Sequence, residues 1–384
     1  MATVMLDPYN GGLAATRALV RRGEDVIVVA GPNNRHNART RGVEGHAAPS
    51  EEWPDLLADI AARRGPGPIL TGADLASAWL VDHRDALPDG LRAFEAADDA
   101  HLPLMRKDDS EAIARRAGVA VPWSAVIEDA ASLESAAAAA PYPAILKPVL
   151  SHAWRAVFGD DRVTLVQTPD EARRAGERAL EAGLAMVMGE YIPGGDDCVE
   201  EALIVRDAEG EYPVFFGCAK IRQYPVGFGA ASLCEAAELP ETIALAKAVL
   251  DEGGFVGVAG VETKRHVETG RRYFLEVNVR IATQWGLGDA SGLDASARLA
   301  AVARGERVGP QAPMRRRARL VFPELDVRAA AAALRASPEG RFAAARELTA
   351  SYKGVRELGL LDPRDPGPLA AYVGNALRRR LSRS

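Results

Sequence analysis

Residues 255–280 contain two strand-like segments joined by a short turn, and they constrain the fold more than any other part of the sequence. The segments read FVGVAGVETKRHV and RRYFLEVNVR, with Glu-Thr-Gly at 268–270 between them. A three-residue loop ending in glycine is typical of a β-hairpin, because its last residue adopts the left-handed conformation. With Thr269 at the centre, the hairpin places Glu262 directly opposite Glu276, and a five-residue loop with the same centre gives the same pairing.

Polar side chains occupy one face of the second strand of this hairpin, since side chains alternate between faces. That face is predicted to carry Phe274, Glu276, Asn278 and Arg280. The other face is predicted to carry Val277, Val279 and Ile281. Directly opposed carboxylates lie about 4.5–5.5 Å apart at Cβ and repel one another. They therefore need a shared proton or a cation between them.

Two carboxylates and an amide oxygen form a hard-oxygen site that suits Mg²⁺, with Mn²⁺ as a substitute. The expected ligands are Glu262, Glu276 and Asn278. The guanidinium of Arg280 would lie beyond the metal, where it can hold a transferring phosphoryl group or a carboxylate. The alternative is a solvent-facing sheet edge whose acids are balanced by Lys264 and Arg272.

Lys107 and Lys147 are candidate phosphate ligands. Lys147 lies in the apolar strand AILKPV (144–149), and Lys107 precedes a short helix. A buried ammonium group needs an anion as a partner. Taken singly, each lysine could also be an ordinary one whose stem is buried and whose ammonium group reaches the solvent. In MVMGEYIPGGDD (186–197), an apolar strand ends in a Pro-Gly-Gly turn. The backbone of this segment could bind the edge of an adenine, and an acid that follows could bind a ribose. The alternative is an ordinary strand and turn.

Composition restricts the classes of function. The chain has 384 residues, and a net charge of -6 argues against a general nucleic-acid-binding protein. The arginine clusters at 314–320 and 377–384 fit a solvated face and a tail. Three cysteines without CxxC spacing indicate a reducing compartment, so we expect a cytoplasmic protein. No segment is expected to span a membrane.

Strands and helices alternate over residues 1–102, which predicts a parallel α/β layer. The turn NGG (10–12) lacks the GxGxxG spacing, so a nucleotide-dependent dehydrogenase is disfavoured. A β-rich stretch follows at about 198–281, and the remainder from about 309 alternates strand-like and Ala-rich helical segments.

The order of these motifs resembles the ATP-grasp superfamily, especially its bacterial carboxylate–amine ligases. The likeness covers about residues 1–300, and ExNxR at the end of the hairpin is its most specific element. It implies an α/β and α+β chain, an ATP-grasp fold with an N-terminal Rossmann-like (pre-ATP-grasp) domain. The implied units are 1–102 (Rossmann-like), 103–184 (small subdomain), 185–308 (core subdomain with the metal site) and 309–384 (C-terminal α/β segment).

The resemblance also assigns roles to the candidate residues. Phosphates of ATP would be bound by Lys107 and Lys147, and adenine by Glu190, Tyr191 and Ile192. Asp197 would bind the ribose. The catalytic residues would be Arg280, Lys147 and Lys264, and the substrate carboxylate would be held by Arg222 and Arg280. Arg222 equally fits a structural ion pair.

The implied reaction joins a small carboxylate to an amine with ATP and Mg²⁺, releasing ADP and phosphate. A carboxylase acting through carboxyphosphate and a non-catalytic ATP-binding protein are the alternatives. A homodimer is the expected assembly. The segment LSHAWRAVFGDD (150–161), which matches the phosphate-covering loop of relatives, has one glycine where that loop is rich in Gly and Ser.

Overall fold

A computed structural model describes residues 1–94, 98–148, 163–336 and 340–381. The first part is a five-stranded parallel sheet with strand order β3-β2-β1-β4-β5. Its strands are β1 (Thr3–Leu6), β2 (Val26–Ala30), β3 (Glu44–Ala47), β4 (Gly67–Thr71) and β5 (Leu91–Ala93). Its helices are α1 (Asn10–Arg21), α2 (Trp53–Arg64) and α3 (Asp74–His83). The predicted parallel α/β layer is therefore confirmed.

A four-stranded antiparallel sheet follows, with order β6-β9-β7-β8. Its strands are β6 (Ser124–Ile127), β7 (Ala144–Pro148), β8 (Thr164–Val166) and β9 (Met186–Glu190). It is covered by α6 (Ala130–Ala139), which begins with a capping box, and α7 (Pro169–Glu181). The boundary predicted between residues 184 and 185 is thus too early, because β9 pairs with β6 and β7.

The third sheet has seven strands in the order β14-β13-β10-β11-β12-β15-β16. They are β10 (Val199–Arg206), β11 (Val214–Tyr224), β12 (Ala230–Ala237), β13 (Gly257–Arg265), β14 (Arg272–Asn278), β15 (Arg319–Val321) and β16 (Val355–Glu357). Because β15 and β16 extend this core sheet, the C-terminal segment shares a sheet with the predicted core subdomain.

Helices pack around the core sheet and join it to the N-terminal domain. They are α4 (Asp98–Met105), α5 (Lys107–Arg116), α8 (Pro240–Glu252), α9 (Gly286–Ala290), α10 (Ala295–Ala303), α11 (Pro323–Ala336), α12 (Arg341–Ser351) and α13 (Gly367–Leu381). Residues of α4 and α5 share a buried cluster with β10, β13 and β14, so these helices pack on the core sheet rather than on the small one. None of the helices described is long and apolar enough to cross a bilayer.

The predicted hairpin is β13–β14, and Glu262 lies opposite Glu276 as expected. The turn is longer than predicted, because β13 ends at Arg265 and β14 begins at Arg272. Next to this turn the strand pairing differs from the predicted register by one residue, since Thr263 pairs with Phe274. A β-bulge then returns the pairing to the predicted register at Glu262 and Glu276. Gly270 has the expected positive φ of 69°.

The bulge also reverses the predicted face of one residue. Phe274 was expected beside Glu276, but it is fully buried in the same cluster as Val277 and Val279. A bulge adds one unpaired residue to a strand and so shifts the alternation of side chains on its two sides. The face assignment therefore holds for residues 276–279 and is wrong for Phe274. Ile281 lies beyond the end of β14, in a different buried cluster from Val277 and Val279.

Candidate functional site

A cavity of about 270 Å³ lies between the small sheet and the core sheet. Among the predicted site residues, its walls include Lys107, Lys147, Glu190, Tyr191, Ile192, Glu262, Lys264 and Glu276. Cavities of about 960 and 580 Å³ occur elsewhere, but neither is lined by the opposed glutamates or the two lysines. The smaller cavity is therefore the candidate site.

The acidic wall of this cavity is formed by the hairpin. Glu276 is accessible from the cavity but surrounded by protein, and this burial, followed by the charge of Glu262, raises its pKa. The ammonium of Lys220 on β11 lies 3.0 Å from Oε2 of Glu262. Burial acts to lower the pKa of Lys220, but Glu262, Glu201 and Glu276 outweigh it and the pKa is raised. The ammonium of Lys220 thus supplies a positive charge beside one of the two opposed carboxylates.

Glu201 is a third carboxylate in the same row. It lies opposite Glu262 on β10, so Glu201, Glu262 and Glu276 occupy successive strands of the sheet. Burial first, and then the charge of Glu262, raises the pKa of Glu201 to about 8. Its Oε2 has no hydrogen-bond partner in the described part of the chain. A Cβ on Gly260 would lie 2.4 Å from Oε1 of Glu201, so the glycine leaves room for this carboxylate.

Lys220 and Glu201 were missed by the sequence reasoning. The signal that singled out Lys147, a lysine within an apolar strand, is present in FFGCAKI (215–221) as well. Glu201 lies in VEEALIVR (199–206), where a charged pair begins an otherwise apolar strand. Neither pattern indicates which strand is the neighbour, so their approach to Glu262 depended on the sheet order.

The fit of a divalent ion to this wall can be judged from the donor atoms. Glu262 and Glu276 face each other, and carboxylate oxygens are ligands that Mg²⁺ prefers. The amide nitrogen of Asn278 lies 3.4 Å from Oε1 of Glu276, while its oxygen accepts from Arg280. Coordination by Asn278 would therefore require its amide to rotate. No group of three or more His, Cys, Asp or Glu side chains in the described ranges is arranged to hold a metal, so the candidate ligands are two carboxylates and this amide.

Lys107 and Lys147 are neighbours that line the same cavity. Burial, followed by the charge of Lys107, lowers the pKa of Lys147 to about 8. Lys107 begins α5, and its ammonium is 3.7 Å from Oε1 of Glu111. Two neighbouring ammonium groups in a partly buried cavity repel each other, and an anion between them would relieve this repulsion. The structure thus brings the two predicted phosphate ligands together.

The predicted adenine-binding segment lies at the edge of the same cavity. Glu190 is anchored, because its carboxylate accepts from the backbone N–H of Trp123 at 3.0 Å. Tyr191 and Ile192 follow it along the wall, and the ring of Tyr191 lies 6.3 Å from that of Phe228. Asp197 is exposed and is not among the residues that line the cavity, so its ribose-binding role stays a prediction.

Lys264 and Arg280 have different surroundings. The ammonium of Lys264 donates to the backbone oxygens of Gly194 at 2.9 Å and Gly195 at 3.2 Å, so it supports the turn after β9. Burial lowers its pKa. Its catalytic role stays a prediction. The guanidinium of Arg280 donates to Asn278 and to Asp74 of the N-terminal domain. Neither Arg280 nor Asn278 is among the residues that line the cavity, so their roles stay predictions.

Arg222 forms the structural ion pair that the sequence allowed as an alternative. Its guanidinium forms a two-pronged ion pair with Asp326 of α11, at 3.0 and 2.8 Å, and also donates to Oγ of Ser351. Asp326 is 1% exposed, and Arg222 does not line the described cavity. The structure thus contains the ion pair that the sequence allowed, and the substrate-binding role of Arg222 stays a prediction. The predicted phosphate-covering loop (150–161) lies outside the described residues.

The likeness of this chain to known proteins lies in its fold. No protein-family model and no curated protein matches the chain. Solved structures do match. An ADP complex of purK, N5-carboxyaminoimidazole ribonucleotide synthetase, superposes with a TM-score of 0.64 at 15% identity, covering 84% of this chain and 81% of that one.

Two further structures are similar over comparable lengths. A biotin carboxylase–ATP-analogue complex from Campylobacter jejuni has a TM-score of 0.59 at 17% identity, with 80% of this chain and 72% of that chain covered. An L-amino acid ligase from Bacillus licheniformis has a TM-score of 0.57 at 16% identity, with 78% and 73% covered. These are ATP-grasp enzymes, and the likeness at such identities concerns the fold. This chain has the ATP-grasp fold.

Proposed function

We propose that the protein is an ATP-dependent carboxylate–amine ligase that forms an amide or peptide bond through an acyl phosphate and releases ADP and phosphate. One observation carries the proposal: a single cavity is lined both by two adjacent lysines and by two directly opposed glutamates. Such a cavity can hold nucleotide phosphates between the lysines and a divalent ion on the carboxylates.

ATP and Mg²⁺ are the proposed cofactors, with Mn²⁺ as a substitute. Glu262 and Glu276 would hold the metal, with Asn278 after rotation of its amide. The metal would neutralise phosphate charge when bound. Lys107 and Lys147 would bind the phosphates of ATP, and the segment Glu190–Ile192 would bind the adenine.

The reaction would proceed in two steps. A carboxylate oxygen of the substrate first takes the γ-phosphoryl group of ATP, so that an acyl phosphate and ADP form. The nitrogen of an amine then attacks the acyl carbon, the bond to the phosphate oxygen breaks, and the nitrogen loses a proton. Arg280 and Lys147 would stabilise the charge that grows on the transferred phosphoryl group. Positioning and electrostatics would thus supply the catalysis.

A carboxylase that forms carboxyphosphate from bicarbonate is the second candidate. It is favoured by similarity to structures whose names specify carboxylation, a biotin carboxylase and an N5-carboxyaminoimidazole ribonucleotide synthetase. The ligase is favoured by similarity to an L-amino acid ligase. Both candidates use ATP and the same wall of acids, and they differ in the acceptor of the phosphoryl group.

One experiment tests both candidates. The protein is incubated with ATP, Mg²⁺ and pooled carboxylic and amino acids, with and without bicarbonate, while ADP release and new amide masses are measured. Amide masses together with ADP establish the ligase, and ADP release that depends on bicarbonate establishes the carboxylase. Glu276→Ala should abolish substrate-dependent ADP release, and Glu268→Ala, an exposed glutamate in the turn of the same hairpin, should not. Unchanged ADP release in Glu276→Ala defeats the proposal.

The homodimer and the cytoplasmic location stay predictions.

A further inference from the structure

The N-terminal domain contacts the segment 279–282, which carries Arg280. The hydroxyl of Ser77 on α3 donates to the backbone oxygen of Val279 at 2.9 Å. The N–H of Ile281 donates to the backbone oxygen of Thr71, at the end of β4, at 3.0 Å. The backbone on both sides of Arg280 is therefore tied to the loop and helix that follow β4.

A second loop of the N-terminal domain touches the same segment. Gly11, at the start of α1, packs so closely that a Cβ there would lie 1.8 Å from the backbone oxygen of Ala282. No side chain fits at such a distance without movement of the backbone. The start of α1 and the segment from the end of β4 into α3 thus enclose residues 279–282, which follow β14 and include Arg280.

The side chain of Arg280 is oriented from the N-terminal domain as well. Its Nε donates to Oδ1 of Asp74 at 2.6 Å, and its Nη2 lies 3.4 Å from Oδ2. The same Nη2 donates to Oδ1 of Asn278 at 3.0 Å. Within residues 1–94, 98–148, 163–336 and 340–381, Nη1 has no hydrogen-bond acceptor. Asp74 and Asn278 thereby fix the plane of the guanidinium and leave Nη1 for a ligand.

We propose that Asp74 is the positioning residue for Arg280, and that the N-terminal domain in this way takes part in phosphoryl transfer. The proposal rests on the proposed function, in which Arg280 stabilises the transferred phosphoryl group. A guanidinium that must meet a phosphoryl group loses side-chain freedom on doing so, and a carboxylate that already holds Nε removes part of that cost. Asp74 lies at the first position of α3, where the helix dipole favours a negative charge.

The exposure of the Asp74 side chain indicates that it contributes little to the stability of the fold. The side chain of Asp74 is 72% exposed, whereas that of Arg280 is 13% exposed. Because the Asp74 carboxylate is mostly exposed, solvent screens its attraction to Arg280, and Arg280 keeps its hydrogen bond to Asn278, so removal of this carboxylate should leave the fold intact. Its effect should appear instead in the step that uses Arg280.

The first test compares three variants by steady-state kinetics. Asp74→Ala should lower kcat by about 10- to 100-fold, the range for loss of a charge-assisted hydrogen bond, with the KM for ATP and the melting temperature unchanged. Asp74→Glu should restore part of kcat. Asp170→Ala is the matched control, because Asp170 is also an exposed acid in the first turn of a helix and pairs with an arginine. It should behave as wild type.

The second test uses ADP with Mg²⁺ and aluminium fluoride, a mimic of the transferred phosphoryl group, in calorimetric titrations. Asp74→Ala should bind Mg·ADP as wild type does but should lose the gain in affinity that fluoride brings. Wild-type kcat and fluoride response in Asp74→Ala overturn the positioning role alone. A rise in kcat also overturns it, because Asp74 would then restrain Arg280. A wild-type protein that does not bind Mg·ADP overturns the proposed function and the positioning role together.

Discussion

Nucleotide binding should raise the pKa of Lys147 and so take up protons from solution. In the free protein, burial and then the charge of Lys107 lower this pKa from 10.5 to about 8. The lysine is therefore about half neutral at pH 8. Phosphate groups placed between the two lysines favour the ammonium form. Binding of ADP should thus convert the neutral fraction to the charged one.

The size of this uptake follows from the pKa of about 8. If bound phosphates move the pKa of Lys147 well above 9, uptake should be about 0.5 proton per site at pH 8. It should fall to about 0.1 proton at pH 7, where the free lysine is already mostly charged. A steep increase between pH 7 and pH 8 is the expected signature.

Calorimetric titration with ADP in buffers of different ionisation enthalpy measures the uptake directly. Lys147→Met should lose it. Lys107→Gln should move it to higher pH, because removal of the neighbouring charge raises the pKa of Lys147. Lys247→Met is the control, since Lys247 also has a pKa lowered by burial but lies over the rings of Tyr212 and Phe215.

Two results would refute this reasoning. The first is a wild-type protein that binds ADP at pH 8 without proton uptake. The second is uptake that persists in Lys147→Met, which would place the titrating group elsewhere. Either result would mean that the two lysines do not enclose the phosphates.

Three further predictions concern single residues. Because the pKa of Glu201 is raised, the folded protein binds more protons than the unfolded chain between pH 4.5 and about 8, and its stability falls as pH rises through this range. In EDTA, Glu201→Gln should remove this fall, which amounts to about 1.4 kcal/mol for each pH unit by which the pKa is raised. An unchanged pH profile of urea denaturation would contradict the assignment. Arg222→Met should lower the free energy of unfolding by about 3–5 kcal/mol, because it leaves the buried Asp326 carboxylate without its positively charged partner. Unchanged stability together with a raised KM for the carboxylate substrate would instead support the substrate-binding role. Gly11→Ala should lower the free energy of unfolding by about 1–3 kcal/mol through overpacking against Ala282, and it should speed amide hydrogen exchange at residues 279–282. Exchange at the wild-type rate there would show that the contact is not tight.

The sequence determined the parts of this site that depend on local order. Glu262 and Glu276 meet because their strands are neighbours along the chain, so turn chemistry and alternation were enough to pair them. The approach of Lys107 and Lys147, and the position of Glu190 at the same cavity, followed from the order of motifs, because that order belongs to the ATP-grasp fold.

Tertiary structure decided the contacts between residues far apart in sequence. Glu201 and Lys220 reach Glu262 only because β10 lies between β13 and β11. Arg222 pairs with Asp326, 104 residues away, and Arg280 with Asp74, 206 residues away. Side-chain periodicity predicts which face of a strand a residue occupies, but it contains no information about which element will cover that face. Burial and electrostatic interactions across the assembled sheets set those partners.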